Sequence, residues 1–270
     1  MNNNKIQKEY DVAITFYEKI IAQFSADLSY YSVLIRATKP QNILELGCGS
    51  GRLFPTFIQE GVENITGIDI SDEMILKAKT KHPSLNVFQG DILDFKSEGK
   101  FDLVVISNSL LKHIETSENR IKILENAKLH LTEKGVISID HSPYLYYVSE
   151  TSDWYNAESS VIAEWIPNKN EILKGYQWCK EVIDNQDIAK WRHFENGVTN
   201  FEVQFSTYVY TVQELIQHID SISLNYVQVM TDYLPNGILP NGNRFISILG
   251  IRPDVLNEYN ERIQQQLKLL

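Results

Sequence analysis

The chain has 270 residues, 43% of them hydrophobic and 22% charged, with a formal net charge of −10. That length and apolar content fit one large domain, or a domain with a sizeable insertion, and exclude a disordered chain. The acidic balance argues against a broad nucleic-acid or anionic-membrane surface, and the two cysteines, without a CxxC, argue against a disulfide framework or structural zinc site. The polar start MNNNKIQKEYDVAITFYEKII has no signal-peptide h-region, and no apolar run approaches membrane-span length. A soluble, cytoplasmic protein is the expectation.

The first 140 residues alternate short apolar runs with helical patterns. NILEL (42–46) reads as a buried strand and GRLFPTFIQEG (51–61) as the following helix, closed by Gly61. NITGIDI (64–70) is a second strand. SDEMILKAKTKHP (71–83) is a helix with Ser71 as N-cap and Pro83 just past its end. LNVFQGDI (85–92), FDLVVIS (101–107) and GVISIDH (135–141) read as strands, and SENRIKILENAKLHL (117–131) as a helix. Such alternation implies a doubly wound, mostly parallel sheet with helices on both faces. After His141 the pattern changes. VIAEWIP (161–167), EILKGYQWCKEVID (171–184), DIAKWRHFE (187–195) and TNFEVQFSTYVYT (199–211) alternate and are rich in aromatics, with turn signals NKN, DNQ and ENG between them. They predict a small antiparallel sheet inserted before the last elements. TVQELIQHID (211–220) returns to a helix, NYVQVM and RFISILGI supply two strands, and a polar C-terminal helix follows Pro253. The resulting division is an α/β domain over 1–149 and 211–270, with the antiparallel insertion over 150–210.

The candidate site lies in ILELGCGSGRL (43–53). In open α/β sheets ligands bind at the carboxyl ends of strands, where strand order reverses. A dinucleotide GxGxxG starting at Gly47 and Gly49 would need its third glycine at Arg52; Gly51 makes the spacing GxGxG instead. Asp69 stands 22 positions after Gly47 (69 − 47), at the end of the second strand, where a ribose hydroxyl pair would be read. Glu45 adds a negative charge directly before the turn. A pyrophosphate is repelled by it; a ligand with an ammonium and a sulfonium is stabilised.

LELGCGSG, GIDIS, GDILDF, FDLVVIS and LTEKGVISIDH, in this order, resemble the class I S-adenosylmethionine-dependent methyltransferases over roughly residues 27–145. The resemblance implies a Rossmann-like methyltransferase fold with a seven-stranded sheet, and S-adenosyl-L-methionine as cofactor. It places Glu45, Gly47, Cys48, Gly49 and Gly51 at the methionine part, Asp69 at the ribose, Ile70 against the adenine, Asp91 and Ile92 beside the adenine amine, and Ser107 after the fourth strand. Arg52 and Met74 complete the expected cofactor set. ADLSYYSVL (26–34) resembles the first helix of small-molecule members, with Tyr31 closing over the cofactor. SNSLLKHI (107–114) and IDHSPYLYYV (139–148) are similar to segments of glycine N-methyltransferase and amino-sugar N,N-dimethyltransferases, which makes the insertion an acceptor lid.

The implied activity is methyl transfer to a small-molecule acceptor at an amine nitrogen, with His113, His141 and Tyr144 as candidate catalytic residues. O-methylation and non-catalytic cofactor binding stay open, as does homo-oligomerisation; neither a metal nor nucleic acid is expected. Blander readings stand beside these. Cys48 reads as small filler. His113 reads equally as a solvated residue at a helix start, His141 as structural, and Trp154, Trp165, Trp178 and Trp191 as packing within the insertion.

Overall fold

A computed structural model of the chain describes residues 14, 17–18, 25–142, 151–156, 175–231 and 245–269. Its contacts form two compact units, residues 26–143 with 210–270 and residues 1–25 with 144–209.

In the larger unit, helix α1 (Ala26–Thr38) leads into β1 (Asn42–Leu46), α2 (Phe54–Gln59), β2 (Asn64–Asp69), α3 (Asp72–Lys81), β3 (Asn86–Gln89), β4 (Phe101–Ile106), a 3-10 turn (Leu110–His113), α4 (Ser117–Leu129) and β5 (Leu131–His141). The smaller unit contributes β6 (Thr151–Asn156), β7 (Tyr176–Ile183), β8 (Gln186–Glu195) and β9 (Val198–Tyr208). Then α5 (Val212–Ser221), β10 (Asn225–Met230), β11 (Phe245–Gly250) and α6 (Pro253–Leu267) complete the larger one.

The seven-stranded sheet has the order β10-β11-β5-β4-β1-β2-β3. Neighbours from β5 to β3 are parallel, and β11 is antiparallel to both β5 and β10. Ile43, Leu44, Val104, Ile106, Ile137 and Ile248 are fully buried, as continuous apolar runs require when a sheet is covered on both faces. The chain crosses from β1 to β2 on one side and to β4 on the other, so strand order reverses at β1. The crevice outside the carboxyl ends of β1 and β4 is therefore the place for a ligand.

Local sequence chemistry sets the helix starts. Ser71 Oγ accepts from Met74 N–H at the head of α3, whose first turn carries Asp72 and Glu73 and whose last turn carries Lys79 and Lys81. Thr211 and Glu214 form a reciprocal capping box at α5. Several boundaries differ from the sequence reading. The helix expected over 51–61 is only Phe54–Gln59, because Gly51 and Leu53 are still in the turn. Strand β3 ends at Gln89, since Asp91 folds 90–93 into a turn by accepting from Leu93 N–H at 3.0 Å. Strand β5 begins at Leu131, four residues early.

In the smaller unit β6 to β9 form an antiparallel meander in chain order. Asn196 and Gly197, with φ of 53° and 82°, make the two-residue hairpin turn that the ENG signal predicts. Trp191 is buried on one face of this sheet with Val203 and Phe205, and Cys179 is buried on the other. VIAEWIP, the NKN turn, Trp165 and Tyr144 lie outside the described residues.

Candidate functional site

The glycine turn leaves β1 and folds back onto the end of β2. Gly47 and Cys48 both donate their N–H groups to Ile68 O, at 2.8 and 3.0 Å, and Gly49 N–H donates to Asp69 Oδ2 at 2.8 Å. Asp69 Oδ1 accepts from Ser71 N–H at 2.9 Å, so one carboxylate ties the glycine turn to the head of α3. These three N–H groups are engaged by the protein, Gly47 and Cys48 by a carbonyl and Gly49 by Asp69, which makes the turn a poor cradle for an anionic ligand.

Gly47, Gly49 and Gly51 all have positive φ, yet they make room for different things. A Cβ on Gly47 would sit 2.6 Å from Leu110 Cδ1, and one on Gly51 would sit 2.5 Å from Phe54 Cδ2. Neighbouring side chains fill both spaces. Among the described residues a Cβ on Gly49 would meet only Met74 Sδ, at 3.8 Å. Gly49 is therefore the glycine whose open face a ligand can approach, and Met74, 2% exposed, walls it. Cys48 is filler: its sulfur would stand 2.9 Å from a Cβ on Gly67, and burial, followed by Asp69 and Glu45, pushes the thiol well up.

Glu45 is 2% exposed. Its Oε1 accepts from Ser107 Oγ at 3.4 Å, while Oε2 has no hydrogen-bond partner among the described residues. Burial raises its pKa to about 8, against the opposing pull of Arg52 and Ser107. The fully buried Tyr31 Oη also has no partner there, and burial, followed by Asp140, Asp27, Tyr30 and Glu45, raises its pKa. Two buried oxygens with unfilled acceptor capacity, among acids, fit a cationic amine and repel an anion. The residues present thus fit the cofactor that the resemblance implies.

Arg52 donates to Asp27 through both terminal nitrogens, at 3.0 Å from Nη1 to Oδ1 and by a shorter contact from Nη2 to Oδ2. Asp27, absent from the sequence reading, is buried. Its signal was its place in the first turn of the helix that carries Tyr31. The Arg52 guanidinium is thus matched by a carboxylate, so it adds little net positive charge beside Glu45.

Asp91 and Ile92 follow β3; Ile92 is buried in the core, and its carbonyl accepts from Asn126 Nδ2 at 3.3 Å. Ile70 stays part-exposed beyond β2, and its carbonyl accepts from Gln89 Nε2 at 3.2 Å.

After β4 the chain makes a strained turn: Asn108 and Ser109 have φ of 49° and 57°. Both N–H groups are held by Asp140, through Oδ2 at 3.1 Å and the backbone O at 3.0 Å, and Ser142 N–H returns to Ser109 Oγ at 2.8 Å. Asp140, 1% exposed and also missed in sequence, thus fixes the turn that places Leu110 against Gly47. His113 ends the 3-10 turn; burial first, and then Lys112, lowers its pKa to about 4. It is neutral at pH 7, and not the solvated, ordinarily titrating imidazole of the blander reading. His141 is 1% exposed, and its Nε2 donates to Tyr210 O at 2.7 Å. That bond anchors the ring to backbone, a structural task. No cluster of three or more His, Cys, Asp or Glu able to hold a metal occurs among the described residues, and no helix there is long and apolar enough to cross a membrane.

Residues 43–135 match a family model described as a methyltransferase domain. Over 150 residues, 55% of this chain and 62% of the other, the sequence is 26% identical to dTDP-3-amino-3,4,6-trideoxy-alpha-D-glucopyranose N,N-dimethyltransferase of Streptomyces venezuelae. The chain thus spans under two thirds of that relative's length. Its fold is similar to an S-adenosylmethionine-dependent methyltransferase from Clostridium acetobutylicum, with TM-score 0.67, 18% identity and coverage of 90% and 98% of the two chains. It is also similar to an amino pentose methyltransferase from Micromonospora echinaspora, solved with S-adenosylmethionine bound, with TM-score 0.62, 14% identity and coverage of 89% and 95%.

Proposed function

We propose that this chain, whose residues 43–135 match a methyltransferase domain, is a class I S-adenosylmethionine-dependent methyltransferase that methylates a nitrogen of a small-molecule amine. The observation that carries this reading is the pair of buried oxygens, Glu45 Oε2 and Tyr31 Oη, beside a glycine turn at the point where strand order reverses. When bound, S-adenosyl-L-methionine supplies an electrophilic methyl group on a sulfonium. Glu45 and Tyr31 would hold its ammonium, the open face of Gly49 would admit its methionine part, and Asp69 would take the ribose hydroxyls. Ile70, Asp91 and Ile92 would flank the adenine.

The chain's own contribution to the reaction is position and electrostatics. Buried acids favour a cation at this edge of the sheet. The acceptor nitrogen must be neutral to attack. His113, with its pKa near 4, is a weak base at pH 7, so it accepts a hydrogen bond that orients the amine while the proton leaves to water. The smaller unit, entered after β5 and left before Tyr210, supplies acceptor recognition, with Tyr144 at its entrance. The net charge of −10 and the two buried free cysteines support a cytoplasmic enzyme that acts on small molecules and not on nucleic acid.

The test is calorimetric titration with S-adenosylmethionine, followed by an assay of S-adenosylhomocysteine release against nucleotide-linked amino sugars, their hydroxyl analogues and simple amines. Amine-dependent release supports the reading. Release only with hydroxyl acceptors moves the chemistry to oxygen, and binding without release across the panel replaces the enzyme by a binding protein.

A further inference from the structure

A second buried polar system lies behind the 3-10 turn. Arg120, on α4, is 2% exposed. Its Nε donates to Ile114 O at 2.8 Å and to Leu111 O at 3.3 Å, the carbonyls that flank Lys112 and His113. The guanidinium carbon stands 4.1 Å from the centre of the Tyr210 ring. Tyr210 is itself fixed: His141 Nε2 donates to its carbonyl at 2.7 Å, and its Oη is 2.7 Å from His218 Nδ1. A buried guanidinium is expensive unless its donors are used and its face is covered; here Nε serves two carbonyls and the Tyr210 ring covers the face.

We propose that Arg120 is a positioning residue that, resting on the Tyr210 ring and gripping the carbonyls of Leu111 and Ile114, holds the Leu110–His113 turn and so fixes the place of His113. The start of the same segment is held by Asp140, so the strained backbone at Asn108 and Ser109 is braced at both ends. A strained turn persists only when its surroundings over-determine it. That the turn faces the acceptor rests on the function proposed above; that Arg120 sets it does not.

The test is the Arg120→Lys variant, read by NMR titration of the histidines. Lysine keeps the charge but is a compact ammonium without the planar face or the rigid fork. The expected result is a rise of the His113 pKa by a unit or more from about 4 towards the ordinary value, as the turn relaxes into water, with His82 unchanged. A folded Arg120→Lys protein in which His113 still titrates near 4 overturns the proposal. Should that variant not fold, Tyr210→Leu removes the shelf and leaves Arg120 in place; it should raise the His113 pKa, and an unmoved value there overturns the proposal equally. Failure of the wild type to bind S-adenosylmethionine would sink the proposed function and leave this result standing.

Discussion

Replacing Glu45 by glutamine tests the most telling electrostatic feature of the protein. Glu45 is enclosed, and its pKa of about 8 in the free protein means that it carries a proton at pH 7. A cation docked on Oε2 favours the ionised form and pulls the pKa down. Binding therefore releases a proton, about 0.9 per cofactor at pH 7 and about 0.1 at pH 9 if the pKa returns to its ordinary range. Cofactor affinity should rise about tenfold per pH unit below pH 8 and flatten above it. Calorimetry in phosphate and in Tris, whose ionisation heats differ, reads the proton number directly. Glu45→Gln should abolish the release and weaken binding. The same shift makes a claim about stability. The unfolded carboxyl titrates near about 4.3, so between that value and about 8 the folded protein keeps a proton that the unfolded chain has lost. Stability from this group falls as pH rises through that window. Glu45→Gln, which cannot ionise, should match the wild type near pH 4 and exceed it near pH 8. Equal heats of binding in the two buffers at pH 7, or a glutamine variant that is no more stable at pH 8, would refute the reasoning.

Asp27→Asn breaks the pair with Arg52 and should cost up to about 3 kcal/mol in denaturant unfolding, the partial exposure of Arg52 keeping it at the low end for a buried pair. It should also lower the Glu45 pKa, because Asp27 raises it and Arg52 lowers it, and so reduce proton release on binding. Tyr31→Phe removes an oxygen with no partner among the described residues, so unfolding should change by no more than about 0.5 kcal/mol. Cofactor affinity should still fall, by about 0.5–1.5 kcal/mol in titration calorimetry; unchanged affinity removes Tyr31 Oη from the site. His113→Ala should lower turnover while the pH–rate profile between pH 5 and 8 keeps its shape, since His113 titrates below that range. A limb near pH 6.5 that disappears in the variant would restore it as a general base.

The fold was legible because the parallel strands are buried on both faces and read as apolar runs, with turn residues between them. The smaller sheet was legible from period-two alternation and the ENG turn. At the glycine turn the sequence marks Glu45 and Asp69, and the structure buries the first and ties the second to the N–H groups of Gly49 and Ser71. What escaped were groups whose meaning depends on distant partners. Asp27 and Arg52 are 25 positions apart and Asn108 and Asp140 are 32 apart, and neither pairing leaves a local signature. Arg120 is one of several charges in SENRIKILENAKLHL, yet it is buried, with the ring of Tyr210, 90 positions away (210 − 120), against its guanidinium. At Gly47 and Gly51 the Cβ space is filled by Leu110 and Phe54, packing that the GxGxG spacing does not announce.

That filling couples positions that look independent. Phe54 closes the space at Gly51 and also at Gly67, where a Cβ would stand 2.6 Å from its Cζ, while Leu110 closes the space at Gly47. In descendants of this chain, position 67 can grow only if 54 or 48 shrinks with it. At 47 and 51 the positive φ is a second lock that no neighbour can open. A lineage can therefore trade bulk between Gly67 and Phe54, but it has to carry Gly47 and Gly51 unchanged even if it gives up binding a ligand. Their persistence in a relative would record a shared way of folding, and only the neighbourhood of Gly49 would record a shared chemistry.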